Sequence, residues 1–282
     1  MASVPTPDSI SREFLTAQLV AAGHDVTVES FLGTRIGTGQ SGMCIRYELT
    51  LSGPGAAGAP QTLIGKFPSD DPQSRSTGVQ LQNYIKEVSF YRELAFRLDV
   101  RAPRCYYADI VGEGPDFALL LEDMSPAEPG DQLAGCGAEL AEAAVLELVG
   151  LHAPSWREES LRGVAWIGEP DPTSAAMAQG LYQGVLEGFF GRYGYHLDDA
   201  QQEIMTRFGS SDLLGSPLGD HYSLVHVDYR LDNLLIDITR KPAVITVVDW
   251  QSITLGNPMT DVAYFIGAGM SPESRRQHEQ AI

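Results

Sequence analysis

Residues 224–250 read LVHVDYRLDNLLIDITRKPAVITVVDW, and this stretch decides the fold. An apolar lead-in ends in a loop that carries Asp228, and Asn233 follows five positions later. A buried run over 234–236, a turn over 239–242 and a β-branched strand over 244–248 then return the chain to Asp249. The pattern predicts that these three oxygen-bearing side chains meet at the mouth of a short hairpin. Two carboxylates and an amide, completed by phosphate oxygens and water, suit a hard divalent cation such as Mg²⁺.

The spacing of these residues is similar to that of known catalytic loops. His226-x-Asp228-x-x-x-x-Asn233, followed by Asp249 at a strand end, resembles the catalytic and metal-binding loops of protein kinases. Here Asp249-Trp-Gln replaces the usual D-F-G, and Gly256-Asn-Pro-Met-Thr-Asp follows. The whole run resembles the aminoglycoside phosphotransferase and choline kinase-like family of the protein-kinase-like fold.

Two details refine this resemblance. The family's loop usually reads H-G-D, and Val227 stands at the glycine position in this sequence. Asp249-Trp-Gln together with Asp261-Val-Ala-Tyr-Phe favours the ecdysteroid-kinase-like or hydroxyacyl-kinase-like branch.

The resemblance implies an α+β fold with two lobes. We expect an N-terminal nucleotide-binding lobe over residues 1–123, built from an antiparallel sheet with one long helix. We expect a mostly helical C-terminal lobe over 124–282, which carries the catalytic and acceptor parts. Relatives generally continue with further C-terminal helices, so a fragment or a short variant is expected.

A glycine motif lies between two predicted strands near the N-terminus. The strands cover 26–36 and 43–52, and Gly37-Thr-Gly39-Gln-Ser-Gly42 joins them. In a dinucleotide-binding fold this motif would open a helix, whereas a strand-like segment follows it here. The pattern therefore favours a glycine-rich hairpin laid over nucleotide phosphates. A glycine-rich turn that binds no ligand is the alternative.

Lys66 ends the next apolar strand, over 61–67. A buried charge needs a partner, because an unpaired one costs several kcal/mol. The resemblance implies that Lys66 pairs with the α- and β-phosphates and that a glutamate on the next helix, predicted over 80–98, orients it. Glu87 is the candidate, and Glu93 is the alternative.

The resemblance also implies the remaining roles. The cofactors are ATP and Mg²⁺, with Asn233 and Asp249 as the metal ligands. Asp228 accepts the proton of the acceptor hydroxyl as the phosphoryl group is transferred. His226 braces the loop, and Asp261 caps the following helix and ties it to the catalytic loop.

Composition limits the partners. The formal net charge is −18, with 37 acidic against 19 basic residues. This balance disfavours nucleic acid or an anionic membrane, since both require a basic surface. No apolar run approaches the ~20 residues of a membrane span, and the N-terminus has no signal-peptide pattern. Three cysteines without C-x-x-C spacing indicate reduced thiols in a cytoplasmic protein. The resemblance implies a small-molecule partner with a hydroxyl group, whose identity no residue discriminates.

Two other functions are compatible with parts of the sequence. His226, Asp228 and His278 resemble the two-histidine, one-carboxylate site of non-haem iron oxygenases. That site leaves Lys66 and the glycine motif unexplained. A catalytically weak or inert kinase-like module that only binds nucleotide is the second alternative.

Overall fold

The N-terminal part of the chain is built on one antiparallel sheet. The computed structural model describes residues 4–37, 42–169, 172–211 and 218–282. The sheet has five strands in the order β1-β2-β3-β5-β4. These strands are β1 (Thr27–Ile36), β2 (Gly42–Ser52), β3 (Thr62–Pro68), β4 (Cys105–Ile110) and β5 (Phe117–Glu122). The predicted strands lie within two residues of these bounds.

Side-chain alternation explains which face of this sheet is covered. In β3, Leu63 and Phe67 are fully buried and pack with helix α1 (Arg12–Ala21) through Leu15 and Leu19. The opposite face of β3 carries Lys66, which pairs with Cys44 on one side and Leu119 on the other. Because successive residues of a strand point to opposite faces, the sheet directs Lys66 away from the core under α1.

The long helix predicted over 80–98 is divided in the structure. Helix α2 (Pro72–Gln80) ends before Gln82, which takes a left-handed conformation with φ 59°, and α3 (Asn83–Ser89) begins after it. A π-helical turn then covers Phe90–Leu94 and a 3₁₀ turn covers Ala95–Arg97. Local hydrophobic periodicity did not reveal the break, because the left-handed residue is a glutamine rather than a glycine or a proline.

The C-terminal part is mostly helical, with two small antiparallel sheets. The helices are α4 (Ala138–Glu147), α5 (Val149–His152), α6 (Pro172–Tyr193), α7 (Asp199–Gly209), α8 (Met259–Gly269) and α9 (Pro272–His278), and the strands are β6 (Glu128–Pro129), β7 (Ser223–Val225), β8 (Leu234–Asp237), β9 (Val244–Val247) and β10 (Thr254–Gly256). Strand β7 pairs with β10, and β8 lies between β6 and β9. Helices α4, α5 and α8 contribute to a core that continues up to β5 and α3, whereas α6 packs with α7.

The architecture is therefore α+β, with a sheet-based lobe followed by a mostly helical one, as predicted. β5 ends at Glu122, and the first strand of the second part begins at Glu128. The boundary predicted between residues 123 and 124 stays a prediction. All three cysteines carry free thiols.

Candidate active site

The loop between β7 and β8 holds Asp228 in a defined orientation. A single 3₁₀ turn, Leu231–Asn233, brings Asn233 back to the start of the loop. The Asn233 side-chain Nδ2 donates to both the backbone oxygen and Oδ2 of Asp228, at 2.8 Å each. Both amide protons point towards Asp228, so Oδ1 of Asn233 is left to accept from or bind another group.

The β8–β9 hairpin brings Asp249 next to this loop. The backbone N–H of Val248 donates to the backbone oxygen of Asn233 at 3.0 Å. Asp249 follows directly and adopts a left-handed conformation with φ 67°. A non-glycine residue in this region is uncommon, although aspartate tolerates it better than most. The conformation turns the Asp249 carboxylate out of the strand direction and towards the N-terminal sheet.

Lys66 makes two short ionic contacts, one with Glu87 of its own lobe and one with Asp249 of the C-terminal lobe. Its Nζ lies 2.7 Å from Oε1 of Glu87 and 2.7 Å from Oδ1 of Asp249. The Lys66 side chain is 13% exposed and that of Glu87 is 3% exposed. Gln251 completes the cluster, since its Nε2 donates to the other oxygen of Asp249 at 3.0 Å.

Electrostatics in this cluster follow from its burial. Burial lowers the pKa of Lys66, but the carboxylates of Asp249 and Glu87 outweigh it and raise that pKa well above its ordinary value. Burial raises the pKa of Glu87 to about 6, although Lys66 opposes the shift. Burial also acts to raise the pKa of Asp249, and the charge of Lys66 brings it below its ordinary value. Lys66 is therefore a fixed positive charge, and Asp249 is an anion beside it.

Two glycines of the sequence motif, Gly37 and Gly42, lie at the end of β1 and the start of β2. Gly37 has φ 69°, a conformation that L side chains rarely adopt. A Cβ at Gly42 would lie 3.0 Å from the backbone oxygen of Phe67 and 3.4 Å from Cε of Lys66. A larger residue at 42 would therefore crowd the Lys66 side chain. Gly39 lies outside the residues that the structure describes.

Asp261 supports the loop from beneath. Its carboxylate accepts the backbone N–H groups of His226 and Val227, each at 2.8 Å, and His152 Nε2 lies 3.0 Å from Oδ2. Val227 has φ 72°, a strained conformation for a β-branched residue at the position where a glycine is usual. Asp261 ties the loop to α8 by hydrogen bonds, but it does not cap that helix, whose N-cap is Pro258.

Two buried aromatic rings join the segment after β9 to the π-helical turn after α3. The rings of Phe90 and Trp250 stack at 3.9 Å with an interplanar angle of 10°. His226 packs against Trp250, donates from Nε2 to the backbone oxygen of Val248 at 3.1 Å, and is fully buried. Burial lowers the pKa of His226, so this ring is neutral at neutral pH. Glu93, the alternative partner for Lys66, instead accepts from Nε1 of Trp166 at 2.9 Å.

The iron site considered as an alternative is not assembled. His226 is engaged with Val248, and His278 lies in the last helix, α9. Across the described ranges, no three or more His, Cys, Asp and Glu side chains are grouped so that they could hold a metal ion.

Sequence reasoning missed two polar residues beside Asp228. Nε of Arg230 lies 3.3 Å from Oδ1 of Asp228, and Nη1 lies 2.8 Å from Oδ2 of Asp232. The hydroxyl of Tyr264, on α8, lies 3.5 Å from the same Asp228 oxygen. Arg230 carried a signal, since it is a cation two residues after Asp228. Tyr264 carried none, because only the packing of α8 brings it close.

The sequence of this chain matches a known enzyme family. Residues 58–282 match the family described as "Phosphotransferase enzyme family", APH. The chain belongs to this family. This membership agrees with the phosphotransferase class that the sequence predicts.

Curated relatives match only a short part of the chain. It is 45% identical over 58 residues to acyl-CoA dehydrogenase family member 10 of Mus musculus, which covers 21% of this chain and 5% of that protein. It is 36% identical over 69 residues to acyl-CoA dehydrogenase family member 11 of Homo sapiens, which covers 23% of this chain and 9% of that protein. The matched segments thus span under a tenth of each of these relatives.

Solved structures share the fold at low identity. An aminoglycoside 2′-phosphotransferase-IIIa in its GDP complex aligns with a TM-score of 0.54 and 12% identity over 95% of this chain and 81% of that one. An ethanolamine kinase of Plasmodium vivax aligns with a TM-score of 0.52 and 12% identity over 88% and 66%. A spectinomycin phosphotransferase in complex with ADP and spectinomycin aligns with 0.52 and 13% over 97% and 78%. The chain therefore has the bilobal protein-kinase-like fold. Within the described residues, no helix is both long and apolar enough to cross a membrane.

Proposed function

We propose that this phosphotransferase uses ATP and Mg²⁺ to phosphorylate a hydroxyl group of a small molecule. One observation carries the proposal: a continuous series of short contacts runs from Glu87 through Lys66 to Asp249, and Asn233 next to it is bonded to Asp228. This series puts a fixed cation, an anion, a free amide oxygen and a partly exposed carboxylate side by side. Transfer of a phosphoryl group needs little more than such positioning and charge neutralisation.

The donor set near the hairpin suits Mg²⁺. Oδ1 of Asn233 and the carboxylate of Asp249 would hold the ion, and phosphate oxygens and water would supply its other ligands. The protein then supplies two ligands to the ion. This agrees with the described residues, among which no three or more His, Cys, Asp and Glu side chains are grouped so that they could hold a metal ion. The ion, when bound, neutralises negative charge on the phosphates.

The chain's own residues divide the remaining work. Lys66 supplies positive charge to the α- and β-phosphates, and Glu87 orients it. Gly37, Gly39 and Gly42 let the backbone of the strand turn approach the phosphates. Asp228 hydrogen-bonds to the acceptor hydroxyl and takes its proton as the new oxygen–phosphorus bond forms. We place this reaction in the cytoplasm, where the thiols stay reduced.

The acceptor class is a second part of the proposal. The match to acyl-CoA dehydrogenase family members 10 and 11, although short, favours a hydroxyl group on an acyl chain as the first acceptor to test. Aminoglycosides, choline-like alcohols and steroid alcohols are the other classes to include.

A coupled assay of nucleotide consumption tests the whole proposal. Purified protein is given ATP or GTP, with and without Mg²⁺, and a panel of hydroxylated small molecules drawn from these four classes. We expect acceptor-dependent formation of ADP that requires Mg²⁺ and a phosphorylated product visible by mass spectrometry. If no acceptor is phosphorylated but the protein binds ATP tightly, the inert nucleotide-binding module is the better description.

A further inference from the structure

The catalytic loop contains a guanidinium group to which none of the roles above is assigned. Arg230 lies between Asp228 and Asn233 in sequence, and its side chain is 35% exposed. Nη1 makes a 2.8 Å contact with Asp232. Nε lies 3.3 Å from Oδ1 of Asp228, yet it has no hydrogen-bond partner among the residues that the structure describes. The contact with Asp228 is therefore electrostatic, and one buried N–H donor of Arg230 is unsatisfied.

The charges in the site indicate which kind of ligand suits this N–H donor of Arg230. Within the site, the carboxylates of Glu87, Asp249, Asp228 and Asp232 outnumber the cations Lys66 and Arg230. Lys66 is already held by two carboxylates at 2.7 Å each. A transferred phosphoryl group adds further negative charge, and its three peripheral oxygens need donors throughout the transfer. Arginine presents several N–H donors in a planar fork that matches phosphate oxygens.

The position of Arg230 fits that task. It lies two residues after Asp228, and its Nε is 3.3 Å from Oδ1 of that residue. Asp232 holds the Nη1 end of the guanidinium at 2.8 Å, and the side chain is one-third exposed, so the Nε side can exchange Asp228 for a ligand without unfolding its surroundings.

We propose that Arg230 is a catalytic residue that binds the γ-phosphoryl oxygens of the nucleotide during transfer. In the nucleotide-free protein it pairs with Asp228, and the phosphoryl group takes over that contact. The acceptor oxygen then forms its bond to phosphorus as the bond between phosphorus and the β-phosphate oxygen breaks. The hydroxyl proton passes to Asp228, and ADP leaves. This inference rests on the proposed function, because it presumes that the site handles a nucleoside triphosphate.

Affinity for two nucleotides tests the contact without any acceptor. The β,γ-imido analogue of ATP and ADP are titrated calorimetrically, with Mg²⁺, into wild type, Arg230→Gln and Arg230→Lys. We expect Arg230→Gln to weaken binding of the ATP analogue by about 10-fold and to leave ADP within about 2-fold, because only the analogue carries the γ-phosphate. Lysine keeps the charge, so Arg230→Lys should recover part of the loss.

Two further variants separate this role from a structural one. Arg240→Gln makes the same change on the exposed β8–β9 turn and should leave both affinities unchanged. Asp232→Asn removes the other partner of Arg230. If Arg230 only holds the loop through Asp232, then Asp232→Asn will reproduce the loss seen in Arg230→Gln, and the inference is overturned. Equal weakening of ADP and the analogue, or no weakening of either, also overturns it.

The same titrations distinguish this inference from the proposed function. If wild type binds neither nucleotide, both are wrong. If wild type binds both nucleotides and phosphorylates no acceptor, the acceptor part of the proposed function fails, while the ratio of the two affinities still decides for or against Arg230. Where an acceptor is found, kcat of Arg230→Gln should fall by about 10²-fold with KM for the acceptor within about 3-fold.

Discussion

The Lys66 side and the Asp228 side of the candidate site are built differently. Lys66, Glu87 and Asp249 form a nearly closed ionic cluster, in which short contacts join two lobes and little surface is exposed. Asp228 is 34% exposed; Asn233 holds its Oδ2 at 2.8 Å, whereas the contacts of Oδ1 with Arg230 and Tyr264 are 3.3 and 3.5 Å long. The first arrangement holds charges in place, and the second leaves a carboxylate available to exchange partners. This difference is what a site needs if one half binds the nucleotide and the other half performs the transfer.

The largest expected effect is on transfer. We expect Asp228→Asn to lower the rate of phosphoryl transfer by about 10²- to 10⁴-fold, since an amide cannot accept the acceptor's proton. Nucleotide affinity should stay within about 3-fold of wild type, because the Lys66 cluster is untouched. Turnover at the wild-type rate in this variant would remove Asp228 from the mechanism.

The next-largest effect is on the unfolding free energy, through the ionic cluster of Lys66, Glu87 and Asp249. Lys66→Met leaves Glu87 buried without its cation, and breaking such a pair costs about 3–5 kcal/mol of unfolding free energy. Adding Glu87→Leu to the same protein should recover most of that loss without recovering activity. Arg35→Met at the exposed ion pair with Asp70 is the matched control and should cost no more than about 1 kcal/mol. Denaturant unfolding of the four proteins measures these differences, and equal costs at the buried and exposed pairs would contradict the account.

Substitution of Asp261, which supports the catalytic loop, should affect both stability and transfer. Asp261→Ala removes the acceptor of two backbone N–H groups, the buried one of His226 and the partly buried one of Val227, so we expect a loss of about 2–3 kcal/mol of unfolding free energy. Transfer should fall more than nucleotide affinity, because the loop that loosens carries Asp228. A loss of nucleotide affinity as large as the loss of transfer would show that the two halves are not separable in this way.

The pH dependence of the unfolding free energy gives a smaller test of the same ionic cluster. The pKa of Glu87 in the folded protein is raised to about 6 from 4.5. The folded state therefore binds a proton that the unfolded state does not between those values, so wild type gains stability as the pH falls from about 7 to 4.5. Glu87→Gln cannot titrate and should lack this gain, which is on the order of 1–2 kcal/mol. Unfolding of both proteins across this range measures it, and parallel pH profiles would contradict a buried, ionised Glu87.

The smallest effect tests the strain next to Asp228. Val227 has φ 72°, a region that costs a β-branched residue about 1–3 kcal/mol. Val227→Gly should therefore raise the unfolding free energy by about 1 kcal/mol after the entropy cost of glycine. Val227→Ala, which keeps a Cβ, should gain less. If both variants are less stable than wild type, then the side-chain packing of Val227 matters more than its backbone strain.

Much of this site was predictable because its residues are close in sequence or follow from strand periodicity. Asp228 and Asn233 come just before the β8–β9 hairpin and Asp249 just after it, and Lys66 faces them because it lies on the sheet face opposite Leu63 and Phe67. Glu87 was predicted as the partner that a buried Lys66 needs, and not from helix periodicity. Its helix begins after Gln82, whose left-handed conformation no local sequence pattern indicates. Tyr264 reaches Asp228 only through the packing of α8, and such tertiary contacts between distant segments leave no mark on sequence periodicity. The role of Arg230 was missed because a charged residue in a loop is usually solvated.

The most direct test of the account is the Mg²⁺ dependence of nucleotide binding in wild type, Asp249→Asn and Asp228→Asn. The β,γ-imido analogue of ATP is titrated into each protein with Mg²⁺ and with a chelator. We predict that Mg²⁺ tightens binding to wild type and to Asp228→Asn alike by at least about 10-fold, and that Asp249→Asn loses this advantage. If Asp228→Asn loses it as well, or if wild type binds the analogue equally with and without Mg²⁺, then the division into a nucleotide half and a transfer half is wrong.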